Sequence, residues 1–467
     1  MPTAAPPRTP HAGRRGAGRR LEVAPEARLD QPARESLVLA AVAAGAAVVV
    51  WLWWRDNPAG SVHGLASWFT AAGRLTGLLG GYLCLVEVAL MARIPWVDDL
   101  IGTDRLGLWH RRNGEYSLGL LLAHAVLVVW GYGLADRRGP VAETRAVLGY
   151  PDMLTATAGL AILAGVGVLS TRALRGRLDY QIWYALHLGT YVALALGFSH
   201  QLATGADFVG RPLNRFVWVA MYAFVAALVL GYRVGVPTRD ALRHRLRVAG
   251  VVREAPGVVS IYVTGERLDE MTAEAGQFFN WRFLARGCWW QSHPFSLSAA
   301  PNPRFLRITV KDLGDHTGDL QRLRPGTRVV AEGPHGAFTG RRRTRRRVLL
   351  VGGGVGITPL RALFEALPAA PGELTLLYRA SSPADLVFRD ELDQLAARRG
   401  ARVLYAVGAR DRRPDPLSAR ALRSAVPHLA DHDVYVCGPP GMTAAAVSGL
   451  RAAGVPRARI HTEEFER

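Results

Sequence analysis

Long apolar runs separated by short polar loops fill the first half of the chain, whereas short segments of alternating apolar and polar residues fill the second half. A run of about 20 apolar residues is long enough for a helix to cross the hydrocarbon core of a bilayer. The pattern predicts a multi-domain membrane protein with a six-helix transmembrane bundle over residues 37–236. The predicted spans are residues 37–54, 65–91, 116–134, 153–171, 180–201 and 216–234.

Arginine is unevenly distributed between the loops on the two sides of this bundle. The N-terminal tail, the loops 93–112 and 172–177 and the segment 233–247 are rich in arginine, and the alternate loops contain few. Because cytoplasmic loops are enriched in Lys and Arg, both termini are predicted to be cytoplasmic, in an integral protein of the plasma membrane. Residues 1–36 predict a disordered basic tail rather than a cleaved signal peptide.

The net charge of +19 lies mostly in this tail, in these loops and in the arginine run of residues 341–347. It therefore predicts membrane topology and contact with the lipid bilayer, and no nucleic acid partner. For the run itself, contact with anionic headgroups and a solvated linker are both open. The three cysteines are far apart and form no CxxC pair, which excludes an iron–sulfur cluster or zinc knuckle held by this chain alone.

The second half has the pattern of two further domains. Residues 243–340 contain short alternating segments separated by Gly and Pro, which predict an antiparallel β-barrel. Residues 346–467 alternate between apolar strands and helices, which predicts an α/β doubly wound domain. A glycine-rich turn between its first strand and first helix lets a phosphate approach the helix N-terminus.

Four histidines lie in or beside two predicted spans that run in the same direction. His110 and His124 are 14 residues apart, and His187 and His200 are 13 residues apart. An imidazole at membrane depth is costly without a partner, and 13 to 14 residues of helix rise about 20 Å, enough to stack two porphyrins. We predict that His110 and His187 ligate an inner haem and that His124 and His200 ligate an outer one. Hydrogen bonding between helices is the alternative.

The spacing fits an ideal helix imperfectly. At about 100° per residue, 14 residues return a side chain to within about 40° of its first direction, but 13 residues leave it about 140° away. The fifth span is therefore expected to need a tilt, a bulge or an end effect, for which Gly189 and Gly197 offer places. His110 is expected near the start of its helix.

The sequence around these histidines resembles the ferric reductase and NADPH oxidase superfamily of flavocytochromes. The similarity covers WHRRNGEYSLGLLLAH (residues 109–124), HLGTY from His187 onward and FSHQL (residues 198–202). The resemblance implies two haem b groups held by the paired histidines. It also implies that Arg74 lies near the outer haem, where it meets a propionate or the electron acceptor; a snorkelling side chain is the alternative.

Motifs in residues 243–340 resemble the flavin domain of ferredoxin reductase-type modules, and FAD is the implied cofactor. HPFS is similar to the signature that contacts the isoalloxazine, ITVKDLGDHTGDL is similar to a second motif that reaches the pyrophosphate, and GPHGAF is similar to a closing turn. The implied FAD-binding residues are His293, Pro294, Phe295, Ser296, Lys311, His316 and Thr317.

Motifs in residues 346–467 resemble the nicotinamide domain of the same modules. GGGVGITP matches the phosphate-binding turn and helix start, and CGPP resembles the turn beside the nicotinamide. An arginine and a serine, without an acidic residue, follow the next strand, which favours NADPH and leaves NADH open. The implied cofactor-binding residues are Gly352, Gly353, Gly354, Gly356, Thr358, Pro359, Arg379, Ser381, Gly438 and Pro439.

Two further residues are implied at the site of hydride transfer. Cys437 belongs to the CGPP turn, and Phe465 resembles a terminal aromatic residue whose ring covers the flavin. For Cys437, a purely packing role is the alternative.

These features predict a transmembrane oxidoreductase that passes electrons from cytoplasmic NADPH through FAD and two haems to an acceptor beyond the membrane. The outer loops contain no recognisable metal-binding cluster, which favours a small-molecule acceptor, either dioxygen or ferric iron. A haem-carrying subunit that hands electrons to a docked protein is the alternative, and a non-catalytic membrane protein is a third hypothesis. A protein partner or a homo-oligomer is left open.

Overall fold

The computed structural model describes residues 31–58, 60–178, 180–408 and 415–463. Five of the described helices are long and apolar enough to cross a membrane, and a sixth candidate is a pair of helices bent by 112°. The helices of this half are α1 Gln31–Asp56, α2 Gly64–Leu90, α3 Pro95–Ile101, α4 Thr103–Asp136, α5 Pro140–Leu148, α6 Met153–Leu169, α7 Arg172–Arg175, α8 Tyr180–Thr204, α9 Pro212–Val229 and α10 Val236–His244.

The helices differ from the predicted spans in three details. Helix α1 begins at Gln31, earlier than the predicted start at residue 37. His110 lies well inside α4 rather than near its start, because α4 begins at Thr103. Helix α8 is an unbroken α-helix, so the 13-residue spacing is accommodated without the expected bulge.

The bent pair consists of α5 and α6, whose 17-residue second member is short for a span.

Two small antiparallel sheets follow the membrane helices, with strand orders β1-β2-β5 and β4-β3-β6. They enclose one apolar core that includes Ile261, Phe279 and Trp281, and isolated bridges from Arg247 to Arg328 and from Leu297 to Ile308 connect their edges. The predicted barrel is therefore represented by two sheets rather than by one continuous ladder. The elements are β1 Arg247–Ala255, β2 Val258–Thr264, β3 Phe278–Phe283, β4 His293–Ser296, β5 Leu306–Lys311, α11 Asp315–Leu320 and β6 Val329–His335.

The C-terminal domain is a five-stranded parallel sheet with strand order β11-β10-β7-β8-β9. Its first strand, β7, lies in the middle, so the strand order reverses between β7 and β10, where such sheets bind their ligands. The elements are β7 Arg347–Gly353, α12 Ile357–Ala366, β8 Leu374–Ala380, α13 Arg389–Arg399, β9 Arg402–Val407, α14 Ala419–Ala425, β10 His432–Cys437, α15 Pro440–Ala452 and β11 Ile460–Glu463.

Several contacts join the three regions. Helices α9 and α10 are connected by a π-helical turn, Leu230–Gly235, and α10 reaches β6 of the flavin region. Between the flavin and nicotinamide regions, the Glu391 carboxylate binds both Arg307, at 3.1 Å, and Arg361. Both arginines are 4% exposed. The same interface includes the backbone N–H of Ala300, which donates to Glu365 Oε2 at 2.8 Å.

The buried carboxylate of Asp433 binds the backbone at the start of the nicotinamide domain. It accepts from the backbone N–H groups of Thr344 and Arg345 at 2.6 and 2.5 Å and lies 3.4 Å from His461 Nε2. Burial alone acts to raise the pKa of Asp433, but the hydrogen bonds from His461, Thr344 and Arg345 outweigh it and leave the pKa lowered. The ionised form therefore stabilises the fold.

The variant Asp433→Asn is expected to lower the free energy of unfolding by about 1–3 kcal/mol at neutral pH, because the two N–H donors lose a charged acceptor. A lowered pKa contributes stability above the unfolded-state pKa of about 4, and this contribution is lost as the pH falls through the folded-state value. The unfolding midpoints of parent and variant should therefore converge in acid. The control is Asp390→Asn, which changes an exposed carboxylate. If the difference between the unfolding midpoints of the parent and Asp433→Asn does not become smaller in acid, the assignment is contradicted.

Candidate functional site

The inner histidine pair lies between α4 and α8. The ring centroids of His110 and His187 are 5.8 Å apart, with an interplanar angle of 69°. His110 Nδ1 lies 2.8 Å from Glu87 Oε1, within ion-pair distance although not aligned as a hydrogen bond, and Asn113 donates to the other oxygen of Glu87 at 2.6 Å. Among the described residues, His187 Nδ1 has no hydrogen-bond partner, and Trp183 stacks on its ring at 4.9 Å.

The outer histidine pair is oriented by backbone carbonyls. His124 Nδ1 lies 2.8 Å from the carbonyl oxygen of Gly73, and His200 Nδ1 lies 2.6 Å from that of Gly197. When Nδ1 carries the proton and donates to these carbonyls, Nε2 is left as the ligating nitrogen, which is the usual arrangement of a metal-binding histidine.

The arrangement fits axial ligation of haem iron. Two imidazoles that share one metal have ring centroids about 6 Å apart, because each metal–nitrogen bond is about 2 Å long. The inner pair is close to this separation. Helix α4 packs on α2 and α8 packs on α6. The His110 and His187 rings bring α4 and α8 together at the inner pair, and the facing of His124 and His200 stays a prediction.

Helices α2 and α4 approach most closely beside the outer pair. A Cβ atom at Gly77 would lie 2.5 Å from His124 Nδ1 and 2.9 Å from its Cε1. The variant Gly77→Ala is therefore expected to displace the His124 ring and to weaken retention of the outer haem about 10–100-fold, as for loss of an outer-sphere contact. This weaker retention is measured by the haem content and by the absorption spectrum of the chemically reduced protein. Gly119→Ala on α4, where an added Cβ has open space, should change neither.

Arg74 lies in a buried polar network beside the outer pair. Its Nε donates to Asp207 Oδ2 at 2.9 Å, and its Nη1 donates to Asn57 Oδ1 at 3.3 Å. Asp207 is 5% exposed. Arg74 is thus an ion-pair partner rather than a snorkelling side chain, and it directly follows Gly73, whose carbonyl contacts His124. Its contact with a haem propionate stays a prediction.

The HPFS motif forms β4, which pairs with β3 along one edge and has no second ladder. The rings of His293 and Phe295 are stacked at 6.3 Å, and Pro294 is exposed. The Ser296 hydroxyl is buried and has no hydrogen-bond partner among the described residues. Since buried polar atoms are normally paired, this hydroxyl and the aromatic ring fit a flavin at this edge.

The second flavin motif forms the loop after β5. Lys311 is exposed at the end of the strand. Thr317 Oγ1 accepts from Leu313 N at 2.8 Å and donates to the carbonyl oxygen of Gly314 at 3.0 Å, so it holds its own loop. The side chain of His316 lies outside the described residues, so its predicted role is untested.

The glycine turn after β7 packs against the CGPP turn after β10. A Cβ at Gly356 would lie 2.3 Å from the Cys437 carbonyl oxygen, and one at Gly353 would lie 2.3 Å from Met442 Sδ. Gly354 is exposed, with φ of +55°. Because both turns end adjacent parallel strands at the reversal of strand order, they border the expected nucleotide cleft. The predicted residues that meet here are Gly352, Gly353, Gly354, Gly356, Thr358, Pro359, Cys437, Gly438 and Pro439.

Burial, and secondarily the carboxylate of Glu463, raise the pKa of the Cys437 thiol well above its ordinary value. The thiol therefore stays protonated, and Cys437 is fully buried. These observations support the packing role rather than thiol chemistry. Phe465, the other residue predicted at hydride transfer, lies outside the described residues.

Arg379 donates from Nη1 to three backbone carbonyls at the ends of β8 and β9, at 3.0, 3.2 and 2.7 Å. Ser381 is exposed next to this strand end. Both residues thus lie where a nucleotide ribose is expected, but the arginine has a structural role there.

Several residues of the haem sites were not predicted from sequence. Glu87 is a carboxylate inside a predicted span, and a charged residue at that depth is a signal of function. Asp207 and Trp183 give no comparable signal, because their roles depend on which helices are neighbours.

The paired histidines between membrane helices, the antiparallel flavin region and the doubly wound domain define a membrane oxidoreductase that binds FAD and a nicotinamide nucleotide. Family models agree with each part: the ferric reductase-like transmembrane component matches residues 76–198, the FAD-binding domain matches residues 256–339, and the oxidoreductase NAD-binding domain matches residues 350–448. The chain therefore belongs to the ferric reductase-like family, with its transmembrane component fused to a ferredoxin reductase-type module.

Individual relatives match part of the chain. Ferredoxin--NADP reductase B of Sorangium cellulosum is 33% identical over 37% of this chain and 77% of its own length. The flavohemoprotein of Vibrio cholerae is 30% identical over 56% of this chain and 70% of its own length. Among solved structures, the flavohem-like FAD/NAD binding domain of nitric oxide dioxygenase from V. cholerae is 25% identical, with a TM-score of 0.39, over 47% of this chain and 98% of that one.

Proposed function

We propose that this chain passes electrons from cytoplasmic NADPH, through FAD and two bis-histidine haem b groups, to a small-molecule acceptor beyond the plasma membrane. The observation that carries the proposal is the contact of His110 on α4 with His187 on α8, whose ring centroids are 5.8 Å apart. In this proposal the bent pair α5–α6 counts as one of six spans, both termini are cytoplasmic, and the two antiparallel sheets form the flavin barrel.

The residues of the chain bind and orient the groups. The Nδ1 contacts with Glu87, Gly73 and Gly197 fix three imidazoles so that Nε2 can ligate. The N-terminus of α12 receives the nucleotide pyrophosphate. When bound, FAD and haem supply hydride acceptance and single-electron transfer, chemistry that side chains cannot perform. No side chain is required to act as acid, base or nucleophile.

NADPH is the proposed donor because no acidic residue directly follows β8, where such a residue would bind the ribose 2′-hydroxyl of NADH. Since the Arg379 guanidinium already donates to three carbonyls, Ser381 is the proposed contact for the 2′-phosphate. Comparing kcat/KM for NADPH and NADH in flavin reduction tests this preference.

The proposal is tested by the visible spectrum of the purified protein, oxidised and then reduced with NADPH. We expect low-spin, six-coordinate spectra and about two haems per flavin, since each iron takes both axial ligands from the chain. Flavin without haem would reject the proposal. The yields of superoxide and of ferrous iron from reconstituted protein distinguish dioxygen from ferric iron as the acceptor.

Transfer to a docked protein is the alternative, and its cue is the basic N-terminal tail together with the arginine run of residues 341–347. Part of this run is engaged within the chain. Arg341 pairs with Glu274, and Arg346 pairs with Glu373 at 3.3 Å. Arg343 donates to the carbonyl oxygen of Arg345 at 2.6 Å and to that of Pro368. A bound protein that changes turnover would support this alternative.

A further inference from the structure

A charged cluster joins the membrane helices to the flavin region. Glu332 Oε1, on β6, lies 2.7 Å from Nη1 of Arg93 and 3.8 Å from Nη1 of Arg233. Arg93 follows α2 and has a left-handed backbone with φ of +59°, and Arg233 lies in the π-helical turn. One carboxylate of the flavin region therefore binds arginines from two separate elements of the membrane half.

Two uncharged side chains lie beside Glu332 and Arg93. His335 Nε2 lies 3.4 Å from Nη1 of Arg93. Burial, followed by the charges of Arg93 and Arg233, lowers the pKa of His335 to about 3, so this imidazole is neutral at physiological pH. When the side-chain amide of Asn280 is turned so that its oxygen faces Arg93, that oxygen also accepts a hydrogen bond from Arg93. Glu332 is thus the charge partner of both arginines.

Strand β3 relates this cluster directly to the flavin motif. Asn280 pairs with Glu332 on one side and with Pro294 on the other. Phe278 pairs in the same way with His335 and Ser296. Neighbouring strands are about 4.8 Å apart, so the cluster lies about 10 Å across the sheet from HPFS. A shift of β6 is therefore transmitted to β4 through shared hydrogen bonds.

The same cluster lies close along the chain to a residue that contacts the inner histidine pair. Arg93 lies six residues after Glu87, whose carboxylate contacts His110 and accepts from Asn113. The inner histidine is thus contacted by Glu87 at the end of α2, and the flavin region is contacted by Arg93, just after that helix.

We propose that Glu332 is a positioning residue, whose pairing with Arg93 and Arg233 holds the flavin motif at a fixed distance from the inner histidine pair. The inference rests on the proposed function, because it assigns the contact to electron transfer between the two. Displacement of positioned reactants by about 1 Å can slow a reaction about 100-fold. Loss of this contact should therefore slow haem reduction without slowing flavin reduction.

The test uses the full-length, cofactor-loaded protein mixed anaerobically with NADPH. In Glu332→Gln we expect flavin reduction within about twofold of the parent and haem reduction at least about tenfold slower. Hydrogen exchange of residues 91–102 and 329–335 should rise, which measures the contact independently of turnover. Arg233→Gln, which removes the longer contact, should show a smaller change in the same direction.

Two further variants make the test decisive. Glu270→Gln, an exposed acid that pairs with Arg243 of α10, should leave both rates and the exchange unchanged. The double variant Glu332→Arg with Arg93→Glu swaps the two charges and should recover much of the protection from hydrogen exchange. Parental exchange and parental haem reduction in Glu332→Gln would overturn the inference. A parent protein whose flavin is reduced while its haems stay oxidised would reject the proposed function instead.

Discussion

Replacing His124 with alanine is expected to remove the outer haem and to stop electron transfer across the membrane, while NADPH still reduces the flavin. In the proposed function the variant removes one of the two imidazoles that would ligate this iron, and the His124 ring packs directly on α2 at Gly77. Haem content should fall from about two to about one per flavin, because each iron needs both ligands. His200→Ala should give the same result.

The matched control is His63→Ala, which removes an exposed histidine just before α2. It should retain both haems and full turnover. The ligand assignment fails if His124→Ala and His200→Ala each retain both haems with unchanged spectra.

Replacing Glu391 with alanine is expected to destabilise the flavin and nicotinamide domains by about 3–5 kcal/mol, toward the lower value because this carboxylate is partly exposed. The reason is that Arg307 and Arg361 stay buried, while each loses a charge partner that lies between the flavin and nicotinamide domains. Arg307 also packs its guanidinium on Phe388, 4.8 Å from the ring centroid, so its position depends on both domains.

The measurement is the unfolding midpoint of the purified protein, with flavin release as a second signal. Glu270→Ala removes a carboxylate of a surface ion pair and should leave the midpoint unchanged. If Glu391→Ala and Glu270→Ala behaved alike, the network between the domains would not contribute to stability.

The sequence was sufficient to predict the order of the domains, because each has a different periodicity. Apolar runs of span length predict helices α1, α2, α4, α8 and α9, and the alternation of strands and helices predicts the doubly wound sheet. The histidine spacing also predicts that α4 and α8 face each other, and the structure brings His110 and His187 together at the inner pair. The sixth span is different: α6 is short and continues from α5 at a sharp angle, which hydropathy alone does not encode.

What the sequence could not predict depends on contacts between elements distant in the chain. Arg74 and Asp207 are 133 residues apart, and their pairing follows from how α2 and the end of α8 pack. Arg93 and Arg233 were counted only as topology signals, yet both bind Glu332. The expected distortion of α8 was a tilt, a bulge or an end effect; because α8 is a continuous helix, it contains no bulge, and the other two stay predictions.

The π-helical turn Leu230–Gly235 sets the direction of α10, which follows it. A π-helical turn takes up one more residue than an α-helical turn, so the same six residues wound as ordinary α-helix would rotate everything beyond them by about 100°. Helix α10 would then point away from β6, although the apolar length of the span would be unchanged. The contact between α10 and β6 therefore depends on how these six residues wind, which hydropathy does not record.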